Sequence, residues 1–291
     1  MSTATFTAKD VQELRQRTGA GMMDCKKALE ENNGNMEASV DYLRKKGIAK
    51  AEKRAGKSTS EGVIRAEIAP DNATGVLVEV NCETDFVARN DAFQAIAKTV
   101  ADEALATASA TDAAGLLAAK LQDGQTVEEY VKESSAKMGE AVNVRRVVRY
   151  DAPQGVVGSY VHFNGKIGVL VEVQAGASKD EALVTLAKTL AEHVAAAAPV
   201  GVDRDTVPAD VVARERAIFV DQVRASGKPE AMIDKIVSGK IEAYYKDVAL
   251  LHQAWIREPK TSIQQVVDQA AKQVGAPVTV KRFTRFQLGQ E

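Results

Sequence analysis

Along the first 47 residues, apolar positions recur at the three-to-four spacing of a helix. Val11 and Leu14 share one face of a segment opened by Thr7 and Asp10, a pair placed to cap a helix start, and Thr18-Gly-Ala-Gly21 breaks it. Met22 to Glu31 makes a second helical stretch, stopped by Asn32-Asn33-Gly34, and a third runs from an Asn35 cap through Met36, Val40 and Leu43 to Gly47. Residues 1–47 are therefore predicted to form a three-helix module with a very small core. Its Gly-Ala-Gly-Met-Met corner, residues 19–23, offers exposed backbone and two thioethers to a contact surface; spacing alone fits Met22 and Met23 equally well to the core. Residues 48–61 begin IAKAEKRAGKSTS, a helical extension fading into a linker.

Beyond residue 61 the pattern changes to short β-rich runs, and it repeats. GVLVEV occurs at Gly75–Val80 and again at Gly168–Val173, an offset of 93 that Gly62-Val63 and Gly155-Val156 share. Each copy reads as a hairpin, with turns PDNATG (70–75) and FNGK (163–166), followed by a helical stretch aligned at an offset of 90. At an offset of 136, Thr126-Val-Glu-Glu129 matches Ser262-Ile-Gln-Gln265, two capping boxes whose helices end at Gly139 and Gly275. The closing strands match too, NVRRVVRY (143–150) against TVKRFTRF (279–286). The fold class is thus α+β, a duplicated core of antiparallel sheets backed by helices, with copies at 62–150 and 151–291.

The copies differ in two places. The offset rises from 90 to 136, so the second copy carries 46 more residues, about 203–253. They read as helices over Asp210–Ser226, Ala231–Ser238 and Lys240–His252, an inserted hairpin that either projects onto a partner or a second copy of the chain, or folds back on its own core. The fall from 93 to 90 gives the first copy three extra residues within NCETDFVARND (81–91), where the second has a plain Gly-Ala-Ser connection at 176–178. That polar loop holds Phe86. A phenylalanine left in water forgoes about 1.5–3 kcal/mol of burial, so its own core or a partner should cover it.

Composition narrows the functional classes. A chain of 291 residues that is 45% hydrophobic and 27% charged is a globular protein, and its net charge of −2 offers no bulk case for nucleic-acid binding. Arg145, Arg146, Arg149, Lys281, Arg282 and Arg285 give the closing strands local basicity, but alternation distributes it over both faces. Cys25 and Cys82 have neither metal nor disulfide spacing, which fits a reducing compartment, and no apolar stretch reaches the ~18–20 residues of a membrane span. The expected location is the cytoplasm. His162, His193 and His252 are scattered, no catalytic or phosphate-loop motif is present, and Gly56-Lys57-Ser58 lacks the upstream glycine of a nucleotide loop. Asp85 alone makes no metal site. The expectation is a protein-binding chain without enzyme activity, cofactor or metal.

The long stretches LRQRTGAGMMDCKKALEENNGNMEASVDYLRKKG (14–47), EVNCETDFVA (79–88), KMGEAVNVRR (137–146) and GKIGVLVEV (165–173), with GSYVH (158–162), together resemble the bacterial elongation factor Ts family. The resemblance spans essentially the whole chain. It implies a ubiquitin-associated-like (UBA-like) amino-terminal domain, a duplicated core, a coiled-coil-like hairpin, and guanine-nucleotide exchange on elongation factor Tu during translation. It also implies that Thr84, Asp85, Phe86 and Val87 displace the magnesium ion of that GTPase, the phenylalanine entering between partner helices. By the same matching, Arg15, Met22 and Met23 fall at partner-contacting positions of the amino-terminal module, and Met138, Gly139 and His162 at core positions near the partner's nucleotide-binding domain.

Overall fold

The computed structural model describes residues 6–54, 56–176 and 180–290, with the side chains of 48 and 50–54 also outside the description. The connection predicted at 176–178 falls largely outside the described residues. The chain is α+β, and its described residues divide into two compact units, one within 6–65 and 78–147, the other within 66–77 and 148–290.

The first unit begins with α1 (Ala8–Thr18), α2 (Met22–Glu31) and α3 (Met36–Arg54). Thr7 and Asp10 form a complete capping box, and Gly19 ends α1 in the left-handed region at φ 68°. Val11, Leu14, Cys25, Ala28, Leu29 and Leu43 make the small core of these helices. The helix does not end at Gly47: α3 runs on to Arg54, along the helical extension read beyond residue 47. One reason is packing. A Cβ at Gly47 would stand 2.9 Å from the Ala136 side chain on α7 (Val127–Met138), so the glycine allows close helix approach rather than a break, and Arg44 pairs with Glu133 beside it.

Strands β1 (Glu61–Ile68), β2 (Thr74–Cys82) and β3 (Val142–Asp151) hydrogen-bond in that order, and the division between the units passes through all three. Between β2 and β3 come α4 (Asp85–Ala88), α5 (Asp91–Ala106), α6 (Ala113–Ala118) and α7. Glu79, in the middle of β2, is fully buried, and a carboxylate there must be compensated. Arg146 Nε donates to it at 2.7 Å, Arg145 at 3.3 Å and Asn81 Nδ2 at 3.1 Å, so the basic residues of the closing strand answer a buried charge.

In the second unit β4 (Gly155–Val161), β5 (Ile167–Gln174) and β8 (Thr279–Gln287) form an antiparallel sheet, covered by α8 (Glu181–Ala197) and α11 (Ile263–Val274) over a Val- and Leu-rich core. Gly158 permits this cover, since a Cβ there would lie 2.5 Å from the Ala187 backbone of α8. Glu172 is buried in turn, taking Arg282 Nε at 2.6 Å and Gln174 Nε2 at 2.9 Å. The inserted segment is two helices, α9 (Ala209–Ala225) and α10 (Glu230–Val248), with a core of their own from Val223, Ile233, Val237 and Ile241. The break predicted near Gly239 is absent: α10 is continuous through it, its interior hydrogen bonds outweighing the glycine's roughly 1 kcal/mol penalty. A short two-stranded ribbon, β6 (Ala254–Trp255) and β7 (Glu258–Ser262), follows.

His193 of α8 is fully buried. Its Nε2 lies 2.9 Å from Gln253 Oε1, which assigns the proton to Nε2, and its Nδ1 accepts the Ile256 N–H at 3.4 Å. Burial holds this imidazole below its usual range, the bond to Gln253 pulling the other way.

Two outcomes follow from these contacts. Removing either buried carboxylate, by Glu79→Ala or Glu172→Ala, leaves half-buried guanidinium groups without their acceptor and should lower the unfolding free energy by about 3 kcal/mol, read as a fall in urea midpoint. Because the unfolded chain binds a proton at His193 more readily than the folded chain, the histidine's stabilisation is complete above about pH 6.5 and fades as pH falls below it. The urea midpoint should drop more between pH 7 and pH 5.5 in the native chain than in His193→Gln.

Candidate functional site

The loop expected at residues 81–91 contains a full helical turn, α4, and this is where the sequence reading is corrected. Thr84 is its N-cap: the hydroxyl accepts the Val87 N–H at 3.3 Å, a local bond that a polar run without hydrophobic periodicity concealed. Ala88 is the buried residue of the turn, Asp85 pairs with Arg89 across one turn at 2.9 Å, and Asn90 caps the next helix through the Ala92 N–H. Phe86 points outward. It is 83% exposed, so its own core does not cover it.

The strand before this turn is anchored beneath it. Cys82 is buried and its thiol donates to the Thr84 carbonyl at 3.2 Å; burial, with Glu140 nearby, pushes the thiol up to about 12. That cysteine is a packing group without nucleophilic character.

Met138 and Gly139 stand at the end of α7, where Gly139 takes φ 73° and closes the helix. The structure brings this turn to the Thr84–Val87 turn. The Glu140 carboxylate accepts both the Thr84 N–H at 3.0 Å and the Thr84 hydroxyl at 2.7 Å, while Glu83 Oε1 accepts the Ala141 N–H at 2.8 Å. Glu83 also takes Lys57 Nζ at 3.1 Å, which gives one of the linker's lysines an acidic partner within its own chain. Neither glutamate was singled out from the sequence; the available signal was a carboxylate directly after a helix-ending glycine.

Arg15, Met22 and Met23 are exposed at the helical corner in the same unit, Met22 at 46% and Met23 at 73% exposure, so neither methionine is a core residue. His162 belongs to the other unit, at the β4–β5 turn. Its Nδ1 lies 3.0 Å from Tyr160 Oη, and its ring stands 4.5 Å from that of Phe163. Phe163 is 91% exposed, an aromatic tip that the turn sequence FNGK had not suggested as a contact. A cavity of about 580 Å³ opens in the same unit, lined among others by Tyr160, His162, Ile167, Ile256 and Arg285.

The arginines of the closing strands have partners within the fold. Arg145, Arg146 and Arg282 are bonded to buried glutamates, Arg149 to Asp151, and Arg285 Nε donates to the Ala195 carbonyl. Among the described residues no group of three or more His, Cys, Asp or Glu is placed to hold a metal ion, and no helix is long and apolar enough to cross a membrane.

A family model described as "Elongation factor TS" matches residues 83–290. Among similar proteins, the Elongation factor Ts of Magnetococcus marinus is 47% identical over 285 residues, covering 98% of this chain and 93% of its own. That of Trichlorobacter lovleyi is 45% identical over 289 residues, with 98% and 93% covered, and that of Prosthecochloris aestuarii 43% identical over 287 residues, with 98% and 99% covered.

Exposure of Phe86 makes a direct prediction for stability. Phe86→Ala should shift the unfolding free energy by no more than about 0.5 kcal/mol, whereas Phe93→Ala, at a fully buried position of α5, should cost about 3–5 kcal/mol in the same urea titration.

Proposed function

We propose, because the chain belongs to the elongation factor Ts family and is a translation elongation factor, that it acts as a guanine-nucleotide exchange factor on the GTPase elongation factor Tu. In this reading Thr84, Asp85, Phe86 and Val87 dislodge the partner's magnesium ion, and Arg15, Met22, Met23, Met138, Gly139 and His162 contact the partner. The three amino-terminal helices serve as the UBA-like contact module, and the two sheet-bearing parts are copies of one duplicated unit. The factor works in the cytoplasm by binding alone. It needs no cofactor, since the ion concerned is the partner's, and it does not contact nucleic acid directly. A second copy of the chain would pair through the α9–α10 hairpin, which leaves Ile218 and Met232 exposed.

The observation that carries this reading is Phe86, held on a capped helical turn and exposed to solvent. A nucleotide bound at nanomolar affinity is stabilised by about 12 kcal/mol, and a factor can release it only by binding the nucleotide-free GTPase more tightly than the loaded one. A factor with equal affinity for both states would shift nothing. Burying the Phe86 ring in a site that exists only once the partner's helices part gives such a difference, about 1.5–3 kcal/mol, and displacing the metal adds to it by weakening the partner's hold on phosphate. Linkage requires the reciprocal effect: GDP weakens the factor's grip by the same ratio.

The test is release of fluorescent GDP from loaded elongation factor Tu, followed by stopped flow. The native chain should accelerate release, and Phe86→Ala should reduce the acceleration by about 10- to 100-fold, the equivalent of the lost burial. Release by Phe86→Ala at the native rate would overturn the assigned role of the ring.

A further inference from the structure

A helix of four residues has no stability of its own, because one or two hydrogen bonds cannot repay the ordering of its backbone. Phe86, largely in solvent, cannot hold that turn in place by packing. The direction in which its ring points therefore depends on whatever fixes Thr84 and the residues after it.

We propose that Glu140 is a positioning residue for Phe86, fixing α4 through a reciprocal pair of carboxylate grips between residues 83–84 and 140–141. This rests on the exchange-factor reading above. The Thr84 hydroxyl must accept the Val87 N–H to cap α4, and a free hydroxyl would turn among several rotamers. Donating its own hydrogen to Glu140 Oε1 at 2.7 Å fixes the rotor and leaves its lone pairs to face Val87. Glu140 Oε2 takes the Thr84 N–H at 3.0 Å, so one carboxylate holds backbone and side chain of the cap together. In the other direction Glu83 Oε1 takes the Ala141 N–H at 2.8 Å. Hydrogen bonds to an ionised acceptor are shorter and about twice as strong as neutral ones, and these three lie between two short chain segments.

The grip also sets what Glu140 can be replaced by. Both groups that it holds on Thr84 are donors, which a carboxylate accepts at both oxygens. Glutamine would keep the volume but turn an NH₂ toward one of them, so Glu140→Gln should fall between the native chain and Glu140→Ala.

The experiment has two arms, both on the full chain. Without any partner, amide hydrogen exchange at Thr84 and Val87 should be at least about tenfold faster in Glu140→Ala, with Glu140→Gln intermediate and the amides of α7 unchanged. With GDP-loaded elongation factor Tu, Glu140→Ala should slow release about tenfold, the worth of ordering roughly one more residue on binding, and should have almost no further effect in a Phe86→Ala background. Equal slowing in both backgrounds, or unaltered exchange of the Thr84 amide, would overturn the proposal, and so would a native release rate despite a loosened Thr84 amide. Failure of the native chain to release GDP would sink the exchange reading instead, leaving the first arm to judge the grip. Should Glu140→Ala not fold, Thr84→Val removes only the hydroxyl and should give the same non-additive pattern with Phe86→Ala.

Discussion

A charge buried without solvent must find its partners inside the fold, and Glu79 places that demand at the centre of β2. Arg145 and Arg146 of β3 meet it, which ties the two strands at one point of their lengths. The tie has a consequence four residues away, just beyond the end of β2 and just before the start of β3. From Glu79 the chain reaches Glu83 and the α4 turn; back from Arg145 it reaches Ala141, Glu140 and the end of α7. With the strands fixed there, Glu140 is held within reach of the Thr84 N–H and Glu83 within reach of the Ala141 N–H, and the capped turn carrying Phe86 has a rigid base. An apolar residue at position 79 would remove the desolvation cost but also the demand that fixes this pairing.

A well-founded mount with an uncovered ring is an arrangement for presenting apolar surface. Most exposed hydrophobic side chains on a folded protein require no explanation. Phe86 is different because the turn that carries it is held on several sides while the ring itself is left out: capped by Thr84, backed by Ala88, flanked by the Asp85–Arg89 pair. Rigidity before contact lowers the entropy lost on association, and that saving goes to the state in which the ring is buried.

Much of the secondary structure was legible because it is written in local chemistry. The capping boxes at Thr7, Thr126 and Ser262 and the helix-ending glycines at 19, 139 and 275 lie where their residue types place them. Elements whose boundaries are set by long-range packing were less legible. Gly47 resembles a helix end and is instead the point where α3 touches α7; Gly239 resembles a break and is absorbed by the hairpin's own core. At the site, the motif that resembles the family marked the Phe86 turn, but its helical conformation and its dependence on Glu140 come from hydrogen bonds spanning 56 residues, which no local pattern contains. The arginines of β3 and β8 looked like candidate phosphate ligands because their buried partners, Glu79 and Glu172, sit inside apolar runs that read simply as strand.

The central claim is that the Phe86 ring leaves water when the nucleotide-free GTPase is bound. Fluorophenylalanine introduced at position 86 alone reports this by ¹⁹F NMR, through its chemical shift and its sensitivity to exchange between H₂O and D₂O. The account predicts a solvent-sensitive resonance in the free factor that becomes shifted and insensitive on adding nucleotide-free elongation factor Tu, and that returns toward the free signal on adding GDP. A ring that stays solvent-sensitive in the complex would contradict it.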